Sequence, residues 1–382
     1  MRHRYRAISF LLSVIFITII LSCCQPVYPV EPGYNSVPLI TADAAILMDA
    51  CTGQILFEKS ANLKKPPAST TKIMTALLAL EGGDLQETVT VSPRAASVGE
   101  ASLELQEGER LTLQDLLYGA LLESGNDACV ALAEHIGGTE ANFVLLMNEK
   151  AKLIGAQSTN FKNTNGLPAT DHYTTAKDLA TITRYVFHNQ VFKQIVGTRN
   201  IIIESNLGTR HLSNTNRLLY SYEGADGVKT GTTVEAGCCL VASATMQGRQ
   251  LISVVLNSND RWKDSMQMLD YGFERFTNLR VIDQGFVVDS VRIDEGVASE
   301  IKAVASTNLD VVVLKDEEGY LEKVVTVDRQ ITAPVLKGQT IGRLTAKVKG
   351  KVVGSVDLVS DRGIERMPNN RLFWGKRIFL PI

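Results

Sequence analysis

In "KKPPASTTKIMTALLAL", residues 64–80, Ser69 stands three positions before Lys72, at the head of an apolar stretch with helical spacing. A serine hydroxyl is a weak nucleophile and needs a base within hydrogen-bond reach. Residues i and i+3 share a helix face, so this spacing sets an ammonium beside the hydroxyl. The free N–H groups and partial positive charge of a helix start favour an oxyanion there. Lys72 acts as a base only if burial and a second cation lower its pKa. Alone the pattern is weak, since ordinary serine and lysine usage gives about one or two matches in a chain this long. Ser299 with Lys302 is a second match and has no supporting context. By themselves, Ser69 and Lys72 read as a helix cap and a solvated lysine.

Their company changes that reading. "ESGNDA" puts Ser124, Gly125 and Asn126 in a loop between two helical stretches, where a hydroxyl and an amide can face a cleft. S-x-N also recurs at Ser158 with Asn160 and at Ser306 with Asn308, and a helix-capping loop is its plain alternative. "DGVKTGTT" then places Lys229, Thr230 and Gly231 at the start of a strand, the one K-T-G in the chain. Gly231 lets another segment approach that strand closely. Lys229 supplies the second cation, and Thr230 offers a hydroxyl to an anionic substrate end. There is no G-x-S-x-G, no CxxC and no Cys/His cluster, and the five histidines are scattered. A metal site is therefore not expected.

The order S-x-x-K, S-x-N, K-T-G resembles that of penicillin-recognising serine acyl-enzymes. The stretches "PPASTTKIMTALLALE", "LLYGALLESGNDACVALAEHIGG", "FKNTNGLP", "GADGVKTGTTVEAGCCLVASAT" and "LISVVL" are similar to the low-molecular-mass D-alanyl-D-alanine carboxypeptidases. The likeness covers about residues 40–276. It implies an α+β, β-lactamase/transpeptidase-like domain, an antiparallel sheet flanked by helices, followed by a small all-β domain. It also implies release of the terminal D-alanine from peptidoglycan stem pentapeptides through an acyl-serine, acylation by β-lactams, and no metal or cofactor.

Carried over motif by motif, Ser69 is the expected nucleophile and Lys72 the base for acylation. Ser124 relays protons toward the leaving amine, and Asn126 binds the substrate amide. Lys229 and Thr230 hold the carboxylate side. The backbone N–H groups of Ser69 and Thr232 form the oxyanion hole. Arg261, in "NSNDRWKDS", falls where the family often has an arginine that steadies the substrate carboxylate. Some members carry a further arginine just before the K-T-G strand, where this chain has Thr215, with Arg217 two residues on. Position 232 is threonine where some relatives have histidine, and only its backbone is needed.

Two other functions fit these motifs less well. Class A β-lactamases usually have aspartate in the middle of S-x-N and an E-x-x-L-N glutamate. This chain has Gly125 and no such motif after residue 126, which disfavours rapid β-lactam hydrolysis. A catalytically dead wall-binding protein has no reason to keep all three motifs.

The elements that must position these groups follow from patterning. "AAILMDACTGQILFEKS" reads as two strands around a turn at residues 49–53. Helices follow at 69–80, at "LTLQDLLYGALLES" with Thr112 as N-cap, at "DACVALAEHIGG", at "EANFVLLMNEKAKLIGA" and at "TTAKDLATITRYVFHN" capped by Thr175. Two buried strands meet at a turn near 247–249, and a helix over 263–276 closes this region. Strands, then helices, then strands suggest one antiparallel sheet covered by helices. Beyond about residue 280 only strand patterning remains.

The expected organisation is a signal peptide or anchor at 1–24, a proline-rich linker at 25–40, a catalytic domain at 41–280 and a β-rich domain at 281–382. Arg2, Arg4 and Arg6 precede an apolar run over residues 7–21, which reads as an export signal. "ILSCC" leaves three outcomes open: lipidation at Cys23, plain cleavage or an uncleaved anchor. The end, "NNRLFWGKRIFLPI", reads as a strand rather than a membrane-lying helix. The 382 residues carry a net charge of −2 and are 45% hydrophobic, so no nucleic-acid partner is expected. Localisation is expected outside the cytoplasm, periplasmic or on the outer face of the cytoplasmic membrane. Cys238 and Cys239, adjacent on a strand, point to opposite faces and do not suit a mutual disulfide.

Overall fold

The computed structural model describes residues 37–368. The export, lipidation and anchor readings, most of the linker, and the C-terminal strand reading lie outside the described residues.

Strands β1 (Ala44–Asp49) and β2 (Ile55–Lys59) form the expected hairpin. Helices α1 (Lys72–Gly82), α2 (Leu113–Tyr118), α3 (Asn126–Gly137), α4 (Glu140–Leu153), α5 (Ala176–Val186) and α6 (Gln190–Gly197) follow. Then come β3 (Ala225–Thr233), β4 (Gly237–Met246), β5 (Arg249–Ser258) and α7 (Arg261–Arg275). The caps sit where the sequence puts them. Thr112 Oγ1 accepts from Asp115 N at 3.0 Å, and Thr175 Oγ1 from Asp178 N at 3.0 Å.

The five strands form an antiparallel sheet in the order β2-β1-β5-β4-β3. Both its faces are covered, so successive residues feed different cores. From β1, Ala44, Ile46 and Met48 pack with the helices α1–α6, while Ala45 and Leu47 pack with Met268 and Leu269 of α7. Helix α1 is buried nearly all round, from Lys72 through Leu77, which makes it the central helix of the layer.

From residue 276 on the strands are β6 (Phe276–Ile282), β7 (Val287–Asp294), β8 (Glu300–Ala305), β9 (Leu309–Leu314), β10 (Leu321–Val327), β11 (Gln330–Thr332), β12 (Thr340–Val348) and β13 (Lys351–Ser360). Six of them form a sheet ordered β10-β12-β13-β8-β7-β11, and β6 pairs with β9. They enclose a separate apolar core around Val291, Ile301, Ala346 and Leu358. Strand β6 runs without a break through residue 280. The two regions meet at Gln54, whose Nε2 donates to Val312 O at 2.7 Å and whose Oε1 accepts from Val312 N at 3.2 Å. Among the described residues no helix is long and apolar enough to cross a membrane.

Candidate active site

Ser69 does not sit in the first α-helical turn, as the spacing suggested. It lies in a 3₁₀ turn, Ala68–Thr71, and Lys72 is the first residue of α1. A 3₁₀ turn has about three residues per turn, so i and i+3 eclipse and Lys72 stands directly over Ser69. Neither this turn nor α1 has a side-chain cap. Two threonines tie the turn down: Thr70 Oγ1 donates to Pro67 O at 2.6 Å and Thr71 Oγ1 to Ala68 O at 2.9 Å.

Lys72 is fully buried. Its Nζ has three partners: Ser69 Oγ at 2.9 Å, Asn126 Oδ1 at 2.8 Å and the backbone carbonyl of Asn165 at 2.8 Å. Burial lowers its pKa to about 8, against the raising pull of Cys129, Asp127 and Glu100. Lys229 is also buried, with Nζ donating to Thr230 O at 3.1 Å. Its pKa lies well below the ordinary lysine value, first through burial and then through the charge of Lys72. The sequence reading gave Lys229 the task of lowering Lys72. Burial is the main cause for both lysines, and their mutual repulsion makes the pair give up a proton readily.

Asn126 begins α3 and fixes the lysine from the other side. Its Nδ2 donates to Gly99 O at 2.9 Å, so each end of the amide is engaged once. One N–H and one lone pair remain for a substrate. Ser124, half-buried, ends the π-helical turn Gly119–Glu123 at φ +70°. A Cβ on Gly125 would lie 2.8 Å from Asp127 Oδ1 and 2.9 Å from Leu103 Cγ, which explains a glycine between Ser124 and Asn126. Buried Asp127 accepts from Leu103 N, Leu105 N and Ser102 Oγ and so holds the 102–105 segment against α3.

The K-T-G residues lie in the middle of β3, the edge strand, rather than at its start. A Cβ on Gly231 would stand 3.0 Å from Ser69 N and 3.1 Å from Pro67 O, so a side chain there would press on the turn that carries Ser69, and glycine lets β3 lie against it. Thr230 Oγ1 is 2.9 Å from Thr215 Oγ1. Arg261 Nη1 donates to Gly231 O at 2.9 Å and to Thr232 Oγ1 at 2.8 Å. The same guanidinium borders a cavity of about 510 Å³ shared with Thr215, Arg217 and Trp262.

Residues that motif reading missed complete the site. In "FKNTNGLP" the Asn165 carbonyl holds Lys72, and Gly166 packs on the nucleophile turn. A Cβ there would fall 1.8 Å from Ala68 O, and its φ of +91° independently suits glycine. The sequence reading gave this glycine to turn geometry alone, and the close approach is the larger demand. His172 is buried, with Nδ1 accepting from Lys162 N at 3.2 Å. Its Nε2–H therefore donates to Thr71 Oγ1 at 3.0 Å, which links the ring to the nucleophile turn. Burial pushes its pKa down to about 4. Cys51, Cys129, Cys238 and Cys239 are all free thiols.

Fold and site together set a serine hydroxyl beside a buried lysine, between a helical layer and the edge strand of an antiparallel sheet, the arrangement of a serine acyl-enzyme. The family model described as D-alanyl-D-alanine carboxypeptidase matches residues 33–260, and the one for the C-terminal domain of penicillin-binding protein 5 matches 276–366. The chain is 34% identical to D-alanyl-D-alanine carboxypeptidase DacF of Bacillus subtilis, over 93% of this chain and 95% of that one. It is 34% identical to DacC of Escherichia coli, over 86% and 85%. Penicillin-binding protein 5 of Haemophilus influenzae superposes with a TM-score of 0.79 at 30% identity, covering 87% of this chain and all of that one. The DD-transpeptidase of Streptomyces K15 superposes with a TM-score of 0.60 at 33% identity, covering 63% of this chain and 99% of that one. The chain belongs to the D-alanyl-D-alanine carboxypeptidase family.

Proposed function

We propose that this carboxypeptidase removes the terminal D-alanine from peptidoglycan stem pentapeptides through an acyl-enzyme on Ser69, and that β-lactams acylate the same oxygen. The arrangement around Lys72 Nζ carries the reading. A neutral amine has two N–H groups and one lone pair. The carbonyls of Asn126 and Asn165 are acceptors only in this setting and take the two N–H groups. The lone pair is left pointing at Ser69 Oγ, ready to take its proton.

In this mechanism Ser69 Oγ attacks the carbonyl of the penultimate D-alanine as Lys72 accepts the hydroxyl proton. The N–H groups of Ser69 and Thr232 receive the oxyanion. Ser124 passes a proton to the leaving amine, and Asn126 holds the substrate amide through its spare N–H. Thr230 and Lys229 receive the terminal carboxylate, with Arg261 steadying that end of β3. Water then cleaves the acyl-serine. Domains at 41–280 and 281–382 are part of the proposal, as is a β-rich domain that holds the catalytic one off the membrane. The K15 relative, covered almost fully by 63% of this chain, supports a peptidase region that stands alone. The basic and apolar N-terminal residues support export to the outer face of the cytoplasmic membrane.

The test is D-alanine release from a diacetyl-Lys-D-Ala-D-Ala peptide by wild type and Ser69→Ala, with intact mass after penicillin. Release lost in the variant, with a penicillin adduct on wild type only, is expected. Penicillin adding to Ser69 without any D-alanine release moves the reaction to cross-link cleavage or sensing.

A further inference from the structure

Past the C-terminal end of β3 lies a groove of about 650 Å³. Its walls are the segments that carry the nucleophile turn: residues 64–66 lead into that turn, and 168–173 continue from Gly166. Among the charged residues that line it are Lys64, Asp171 and Glu235, all of them exposed. Lys64 Nζ lies 4.2 Å from the centre of the Tyr173 ring. Among the described residues none of the three is in an ion pair. Lys65, in the same wall, is neutralised by Asp43 at 2.5 Å. The groove thus presents one uncommitted ammonium and two uncommitted carboxylates.

The proposed orientation of the substrate points it here. With the terminal carboxylate at Lys229 and Thr230 and the oxyanion at Thr232, the acyl part runs along β3 toward Glu235. An extended peptide advances about 3.3–3.6 Å per residue, so the residue before the penultimate D-alanine lies next to the groove mouth. In a stem peptide that residue is a diamino acid with a long side chain.

We propose that this groove receives the far end of that side chain, and that its charges favour one bearing both an ammonium and a carboxylate. Asp171 and Glu235 face the ammonium, and Lys64, propped on Tyr173, faces the carboxylate. The inference rests on the stem-peptide reading above. A side chain with an ammonium alone satisfies half of the groove, and an acylated amine satisfies neither half.

The experiment compares kcat/KM for D-alanine release from three Nα-acetylated X-D-Ala-D-Ala peptides. X is meso-diaminopimelic acid, L-lysine or Nε-acetyl-L-lysine. Wild type is expected to rank them in that order, each step about two- to fivefold, as partly exposed ion pairs allow. Glu235→Gln with Asp171→Asn should collapse the lysine over acetyl-lysine ratio. Lys64→Gln should collapse the diaminopimelate over lysine ratio. Each ratio is taken within one variant, so a general loss of activity cancels. High salt should flatten both ratios in wild type. Ratios that persist in the variants, or are absent from an active wild type, overturn the groove assignment while leaving the stem-peptide reading intact. No release from any of the peptides by wild type overturns both.

Discussion

The rate of acylation should report the state of Lys72 directly, and pH is the cleanest perturbation. A lysine with a pKa of about 8 is neutral in about one molecule in eleven at pH 7. At the ordinary value near 10.5 it is neutral in about one in three thousand. Burial therefore raises the population of working base about 300-fold, a difference of about 3 kcal/mol. In the proposed mechanism the neutral amine is the active form, so the rate should rise with pH. Acylation by a fluorescent penicillin, quenched at short times, should climb about tenfold per pH unit below about 7 and level off above about 9. The midpoint belongs to the Lys72–Lys229 pair. Lys72→Arg, which keeps the charge and cannot lose it, should slow acylation by about 10²–10⁴-fold and remove the pH dependence. A wild-type rate that is flat from pH 6 to 9, or that is still climbing near pH 10.5, would refute the assignment of Lys72 as base.

Gly166→Ala should destabilise the protein by about 2 kcal/mol or more and slow acylation, because the new Cβ meets Ala68 O and strains a left-handed residue; urea unfolding and penicillin labelling check this together. His172 is held neutral in the fold, with a pKa of about 4 against about 6.5 unfolded. Its contribution is complete above about pH 6.5 and is lost as pH falls toward about 4, so the wild type should lose about 2 kcal/mol between pH 7 and 5. His172→Gln should lack that part of the slope in denaturant titrations. Asp127→Asn should cost about 2–4 kcal/mol, since the buried carboxylate gathers backbone N–H groups of the 102–105 segment. A chain ending near residue 280, the proposed boundary, should still bind penicillin. Failure of that truncated chain to fold at all, judged by far-UV circular dichroism, would sink the proposed domain division.

Much of this was readable before any coordinates, and the unreadable part has a common cause. Ser69, Lys72, Ser124, Asn126 and Lys229 announce themselves by side-chain type at fixed spacing. Thr112 and Thr175 announce helix starts in the same local way. The Asn165 carbonyl does not, because every residue has a backbone carbonyl and only the tertiary fold brings this one to Lys72. Gly166 and Gly231 were visible as glycines, but the first was credited to a turn, since nothing local reveals a distant segment lying on top of it. The Asp127 and His172 anchors act across 20 to 100 residues of chain, beyond any periodic pattern. In the β-rich region the strands were legible but not their neighbours. The parallel pairing of β7 with β11 inside an otherwise antiparallel sheet has no sequence signal.

The position of β1 in the sheet has a consequence for how the chain matures. Asp49 pairs with Leu251, and Ala44 with Leu256, so a strand near the start waits for one about 200 residues later. At about 5–20 residues per second, a ribosome needs about 10–40 s to supply the partner. Until then the wholly apolar "AAILM" strand has only β2 to pair with, its other edge stays open, and the central helix has no full sheet to cover. Closing so long a loop is slow, and the chain spends that interval open. Such a delay would suit the proposed export, in which a chain is threaded through a translocation pore before it compacts. The same strand order that sets Lys229 beside Lys72 thereby postpones assembly of the active centre until nearly all of its domain has been made.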